Sequence, residues 1–152
     1  MREGLSYTST TYFDVQHFYV TGRGTCSDIN IVIPSKIGDN KGVEAITADA
    51  FKNETDIVSV IIPKTITSIN ERAFENCSGL INIFIPNSVQ RIQAEAFKGC
   101  PKLTIYCEAK SKPDNWDETW SGECPVIWGA INSFEELNDN FTIKPGEGKN
   151  SL

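Results

Sequence analysis

The dipeptide Ala-Phe occurs at positions 50–51, 73–74 and 96–97, so successive copies lie 23 residues apart. Three apolar columns keep that interval: Val43, Ile66 and Val89; Ile46, Ile69 and Ile92; Ile57, Leu80 and Leu103. A fixed period carried by apolar columns means that one small unit is copied and stacked, because a single unit cannot bury its apolar side alone. The expected architecture is a solenoid rather than a globule with one central core.

The clearest unit reads Leu80-x-x-Ile83-x-Ile85-Pro86-x-x-Val89-x-x-Ile92-x-x-x-Ala96-Phe97-x-x-Cys100. Its opening has the spacing of a leucine-rich repeat. Ile83 and Ile85 alternate with period 2, which predicts a short strand with both side chains turned to the core, ended by Pro86. Val89 and Ile92 return along the opposite side, and Ala96-Phe97 suits a short helical or 3₁₀ turn whose Phe stacks on the Phe of the preceding coil. Strand rows are expected at Ile31 to Ile33, Val60 to Ile62, Ile83 to Ile85 and Ile105 to Cys107. The fold class is mainly β with short helical or 3₁₀ turns, a solenoid of about four coils with a cap at each end.

Pro63 and Pro86 keep the 23-residue interval, whereas Pro34 precedes Pro63 by 29 residues, so the first unit carries an insertion, placed within Ser35 to Gly42 as a protruding loop. Residues 1–28 hold Tyr12-Phe13, Phe18-Tyr19-Val20 and Gly22-Arg23-Gly24, expected to form one or two strands and a turn as the N-terminal cap. The repeats occupy 29–107. Residues 108–130, with Trp116, Trp120, Trp128 and Cys124-Pro125-Val126-Ile127, supply apolar bulk for a C-terminal cap, and 131–152 form an acidic tail, partly disordered, with a helix-like start at Phe134 to Leu137. Charge supports a boundary near Cys107: residues 1–107 hold eleven acids and ten bases, while 108–152 hold nine acids and four bases.

The formal net charge of −6 disfavours a phosphate-binding surface, so no nucleic-acid partner is expected. The longest nearly apolar run, Ile57 to Ile62, is far too short to span a bilayer. Met1 to Leu5 lacks the basic region and apolar stretch of a secretory signal, so an extracellular location presumes a leader that is removed or lies upstream, and the cytoplasm stays open.

Catalysis is not expected. His17 is the sole histidine, which leaves one candidate base for any nucleophilic site. The five cysteines contain no Cys-x-x-Cys pair, so neither a metal nor another cofactor is expected. Cys77 and Cys100 share a repeat column and should stack as buried thiols. Cys107 and Cys124 flank the Trp-rich segment; a disulfide between them would close a loop of about 17 residues and contribute roughly 3 kcal/mol, whereas in a reducing compartment both are cap core residues. Asp114 to Glu118 lacks the spacing of a calcium loop and reads as a solvated turn. Trp116 and Trp120 could stack on a sugar, although cap packing is the better use of them.

Strand alternation singles out one surface. If Ile83 and Ile85 face inward, Asn82 and Phe84 face outward. Carried across the rows, the middle position becomes an apolar ladder of Val32, Ile61, Phe84 and Tyr106, bordered by a polar ladder of Asn30, Ser59 and Asn82. Val32, Ser59, Ile61, Asn82, Phe84 and Tyr106 are therefore the candidate binding residues. The plainer reading is that these are ordinary β-formers or are covered by a cap.

The units Ile62-Pro63-x-x-Ile66-x-x-Ile69-x-x-x-Ala73-Phe74-x-x-Cys77 and its copy from Ile85 to Cys100 resemble the BspA-type leucine-rich repeats of bacterial, and some protist, surface proteins. The lead-in Tyr19-Val20-Thr21-Gly22 and the exit Ile105-Tyr106-Cys107-Glu108-Ala109 are also similar to that family, and the likeness covers about residues 12 to 129. Two features depart from it: Thr47, Asn70 and Gln93 stand where a Gly commonly follows the second Ile column, and Glu54 stands where later units have Cys. The resemblance implies a right-handed solenoid at a cell surface that adheres to a host or neighbouring-cell protein or glycan, with no catalytic residue to carry over. The alternative is a structural or assembly domain of a larger surface protein whose sheet face packs on another copy or domain, by self-association through that face.

Overall fold

The computed structural model describes residues 4–38, 41–132 and 143–144. Its strands in chain order are β1 (Ser6–Tyr12), β2 (Val15–Gly22), β3 (Asn30–Val32), β4 (Lys36–Ile37), β5 (Lys41–Ile46), β6 (Ser59–Ile61), β7 (Ser68–Ile69), β8 (Asn82–Ile85), β9 (Arg91–Ile92), β10 (Thr104–Cys107), β11 (Val126–Trp128), β12 (Ile131–Asn132) and β13 (Ile143–Lys144). Among the described residues there is no helix, and none long and apolar enough to cross a membrane.

The chain winds between two sheets. One is fully parallel in the order β3-β6-β8-β10-β11; the other runs β1-β2-β5-β7-β9, with β4 beside β5. Isoleucines on alternate strand positions fill the space between them: Ile31, Ile83 and Ile105 from the first sheet, Ile46, Ile69 and Ile92 from the second, each 0% exposed. Each such side chain contributes roughly 1.5–3 kcal/mol by leaving water. The four expected rows pair in the expected register, and a fifth, β11, follows them.

That fifth row shows how the Trp-rich segment closes the array. Asp117 N–H donates to the Ile92 carbonyl (2.8 Å), as Gln93 does to Ile69, Asn70 to Ile46 and Thr47 to Val20 (each 2.9 Å). Trp116 thus takes the place held by Val20, Ile46, Ile69 and Ile92 in earlier turns. Trp120 follows Phe51, Phe74 and Phe97 at the same interval. The rings of Phe51 and Phe74, and of Phe74 and Phe97, stack with centroids 5.3 Å apart, and Trp120 meets Phe97 edge-on at 6.1 Å. The segment is a further turn built with larger side chains.

The expected helical or 3₁₀ turns around Ala-Phe are instead successive tight turns. Bonds such as Ala50 to Thr47, Lys52 to Asp49 and Glu54 to Phe51 (each 3.2 Å) span three residues. They cannot run on into a helix because two residues per turn are left-handed: Asp49, Arg72 and Glu95 (φ 60°, 55° and 57°) in one column, Asn53, Asn76, Gly99 and Gly122 (65°, 59°, 77° and 58°) in the other. Their N–H groups reach the next turn, as in Asp49 to the Glu71 carbonyl (3.0 Å) and Asn53 to the Glu75 carbonyl (2.8 Å).

Two connections take definite form in the structure. The insertion after Pro34 is a hairpin, with Lys36 opposite Gly42 and Ile37 opposite Lys41. In the N-terminal cap, β1 and β2 turn at Phe13-Asp14, while Gly22-Arg23-Gly24 ends β2. Arg23, 12% exposed, pins that corner to the first repeat through Asp56 (2.5 Å), Glu54 (3.0 Å) and the Asp28 carbonyl (2.8 Å). Of the acidic tail, Ile131 and Asn132 pair with Lys144 and Ile143, and the helix-like stretch Phe134 to Leu137 lies outside the described residues.

Candidate functional site

The parallel sheet sets the candidate residues in straight ladders because each strand pairs with the next without offset. Val32 is opposite Ile61, Ile61 opposite Phe84 and Phe84 opposite Tyr106. Ile127 then lies opposite Tyr106 and adds a fifth rung. At about 4.8 Å per strand the ladder is about 19 Å long. Val32, Ile61, Tyr106 and Ile127 are half-buried, whereas Phe84, between Ile61 and Tyr106, is only 8% exposed. Its ring is part of the packing of the face rather than a free anchor.

The second ladder runs Asn30, Ser59, Asn82, Thr104. Ser59 is buried and its hydroxyl donates to Asn30 Oδ1 at 2.7 Å. Asn82 Oδ1 is buried and has no protein partner, which is costly.

A third column was not legible as part of the site. Val58 N–H donates to the Ile29 carbonyl (2.7 Å) and Ile81 N–H to the Val58 carbonyl (2.9 Å), so these three residues line up before the strands. Ile29 is 47% and Ile81 48% exposed. The signal lay in their shared repeat position, but a residue preceding a strand has no alternation rule to say which way it faces. The face is thus a polar stripe between two apolar ones, and none of these residues carries a charge.

The other candidates are placed elsewhere. Of the two alternatives for Cys107 and Cys124, a bridge or a pair of cap thiols, the structure has both as free thiols. The reason is positional: Cys107 pairs with Trp128 and Ile85 in the sheet, while Cys124 belongs to the column of Cys77 and Cys100. In that column each thiol donates to the carbonyl of a Phe one turn earlier, Cys77 to Phe51 (3.1 Å), Cys100 to Phe74 (3.2 Å) and Cys124 to Phe97 (3.6 Å). Contact with Cys100 together with burial holds the Cys77 thiol far above its ordinary range, and burial does the same for Cys107. Burial pushes the Cys124 thiol up to about 11. Thiols held neutral are poor nucleophiles. His17 Nδ1 meets Glu44 Oε2 across neighbouring strands.

Trp116 and Trp120 are 2% and 3% exposed and pack together at 4.7 Å, so their faces are closed to a sugar. Beside them is an open groove of about 390 Å³ lined in part by Glu71, Arg91, Asp114 and Asp117. Among the described residues no cluster of His, Cys, Asp or Glu is arranged to hold a metal.

The profile of the BspA type leucine rich repeat region (6 copies) matches residues 25–112. The chain belongs to this family. Among solved structures, this BspA-type repeat chain is similar to a leucine rich cell surface protein from Faecalibacterium prausnitzii A2-165, at 24% identity over 81% of the chain and 41% of that protein, with a TM-score of 0.61. It is also similar to a leucine-rich repeat protein from Bacteroides ovatus ATCC 8483, at 22% identity over 84% of the chain and 40% of that protein, with a TM-score of 0.53. The chain thus spans about two fifths of the length of each. No curated protein matches the sequence.

Proposed function

We propose that this BspA-type chain is a non-catalytic binding or adhesion module, displayed at a cell surface, that contacts a protein or glycan of a host or neighbouring cell through the outer face of its parallel sheet. The observation that carries this reading is the exposure of Ile29 and Ile81 beside the uncharged ladder of Asn30, Ser59, Asn82 and Thr104. Exposed apolar area beside uncharged polar side chains suits a partner with a flat, uncharged surface. The Faecalibacterium protein's description as a cell surface protein supports the location.

The area is small. A stable protein interface covers about 800 Å² per partner, and association costs about 4–15 kcal/mol, so useful affinity comes from display in many copies or from a longer array. The second reading, an assembly domain whose sheet face packs on another copy or domain, is favoured by the chain's matching only about two fifths of its structural relatives.

The test compares the wild type with an Ile61→Glu, Ile81→Glu variant on immobilised extracellular-matrix proteins and polysaccharides, with circular dichroism to confirm folding. Capture weakened about tenfold or more in the variant supports the face as the binding site. Equal capture by both proteins overturns it. If neither is captured and the wild type alone gains mass with concentration, the assembly reading holds instead.

A further inference from the structure

The sheet edges are defended unequally. β3 and β11 have three residues each and lie beside Pro34 and Pro125, and β9 has two residues, one of them Arg91. Short strands, prolines and charges are the usual means of blocking edge pairing. β1 has none of them: its seven residues, Ser-Tyr-Thr-Ser-Thr-Thr-Tyr, are uncharged, and Thr8 to Tyr12 are exposed. Among the described residues β1 pairs with β2 on one side and with nothing on the other.

The hairpin also carries its own discomfort. Phe13 and Asp14 are both left-handed (φ 51° and 61°), positions that usually go to Asn and Gly. Tyr12, Phe13 and Val15 stand 66%, 83% and 56% exposed, and β2 meets β5 only at Phe18 to Val20, so this tip reaches past the neighbouring strand. A strained turn that holds aromatic side chains in water calls for something to cover it.

Register says what can pair there. The two-residue turn makes Tyr12 and Val15 the closing hydrogen-bonded pair, and bonding alternates from there. Tyr12, Thr10 and Thr8 therefore turn their N–H and C=O groups to β2, while Thr11, Ser9 and Tyr7 turn theirs to the open side.

We propose that β1 pairs antiparallel with β1 of a second copy, across a two-fold axis through Ser9. Ser9 then lies opposite Ser9 of the second copy and Thr11 opposite its Tyr7, so all three outward positions bond at once, each pair exchanging two N–H···O bonds. Thr8 opposes Thr10 of the second copy, a favourable cross-strand pair, and no like charges meet. The same register sets Tyr12 opposite Ser6 of the second copy, which brings its exposed ring against that strand. This surface is separate from the outer sheet face and does not depend on its role.

Sedimentation velocity of the full chain over a concentration series tests it, with two variants: Ser9→Lys with Thr11→Lys, and Ser9→Glu with Thr11→Glu. These side chains are exposed, and circular dichroism checks that both variants fold. The wild type should show a monomer–dimer equilibrium, each variant should dissociate roughly tenfold more readily because like charges meet at the axis, and an equimolar mixture of the two should regain the dimer. A wild type that stays monomeric throughout, a Lys variant that dimerises as the wild type does, or a mixture that stays monomeric overturns the proposal.

Discussion

Phe74 and Phe97 lie with ring planes 1° apart and centroids 5.3 Å apart, and Phe51 continues the stack on the other side of Phe74. All three rings are fully buried. In a stacked array each turn is held mainly by its neighbours, so the middle ring should matter most. Phe74→Ala is expected to cost about 3–5 kcal/mol, and more than Phe51→Ala, because it opens a cavity between two partners. Urea unfolding midpoints of the two variants check the order; a smaller loss for Phe74→Ala would contradict it.

The thiols make a chemical prediction. Alkylation in denaturant should modify all five cysteines, whereas a Cys107 to Cys124 bridge would leave two unmodified in the intact mass. In the folded protein Cys124, partly exposed with its thiol pushed up to about 11, should be labelled first. Its labelling rate should rise about tenfold per pH unit between pH 8 and 10, as the thiolate fraction does.

Burial of those thiols also sets an alkaline limit. A thiol neutral in the folded state but ionising near its ordinary value when unfolded binds more protons in the folded state above that value, so stability falls as pH rises. The contribution of Cys107 and Cys124 is complete below about pH 8.5 and declines through pH 9 to 10. A Cys107→Ala, Cys124→Ala variant should show a shallower decline in unfolding midpoint over that window; an unchanged slope would place the loss on other groups.

Arg23 joins the N-terminal cap to the first repeat through two carboxylates and a carbonyl. Arg23→Ala should cost about 1–3 kcal/mol, and Arg23→Lys should recover only part, since an ammonium cannot reproduce the fork. Hydrogen bonding to Arg23 holds the Asp56 carboxyl below the usual carboxylate range. That contribution is present above the range and lost as pH falls through it, so Arg23→Ala should also soften the acid loss of stability measured between pH 5 and 2.

Gly99 occupies the left-handed column at φ 77°, and a Cβ there would clash with Asn76 Oδ1. Gly99→Ala should therefore destabilise by about 1–3 kcal/mol. Pairing it with Asn76→Gly removes the clash but not the backbone strain, so thermal unfolding of the double variant should recover only part of the loss.

The reach of the sequence follows from repetition. The period named the core columns and strand rows correctly because every copy obeys the same alternation, and the register of Val32, Ile61, Phe84 and Tyr106 came out as the spacing requires. Where the pattern loosens, it misleads. One extra residue sets Trp116 24 positions after Ile92, and the change from Ile and Phe to Trp hides a fifth turn that backbone hydrogen bonds reveal at once. Ala-Phe suits a helix by propensity, but left-handed Asp49, Arg72 and Glu95 are imposed by the need to carry each N–H to the next turn.

The candidate face divides in the same way. Alternation along a strand states the direction of Phe84 but not how far Ile61 and Tyr106 close over it, since coverage is a property of three neighbouring strands at once. Ile29 and Ile81 were plain in the repeat, yet their exposure depends on how the chain enters each strand. The amino-acid order was enough for the solenoid, its period and its core, because those are one-dimensional facts repeated at a fixed interval. Which side chains stay in water, and where the chain leaves an edge open, arose only when the turns stacked, because exposure is decided by neighbours that are remote in sequence.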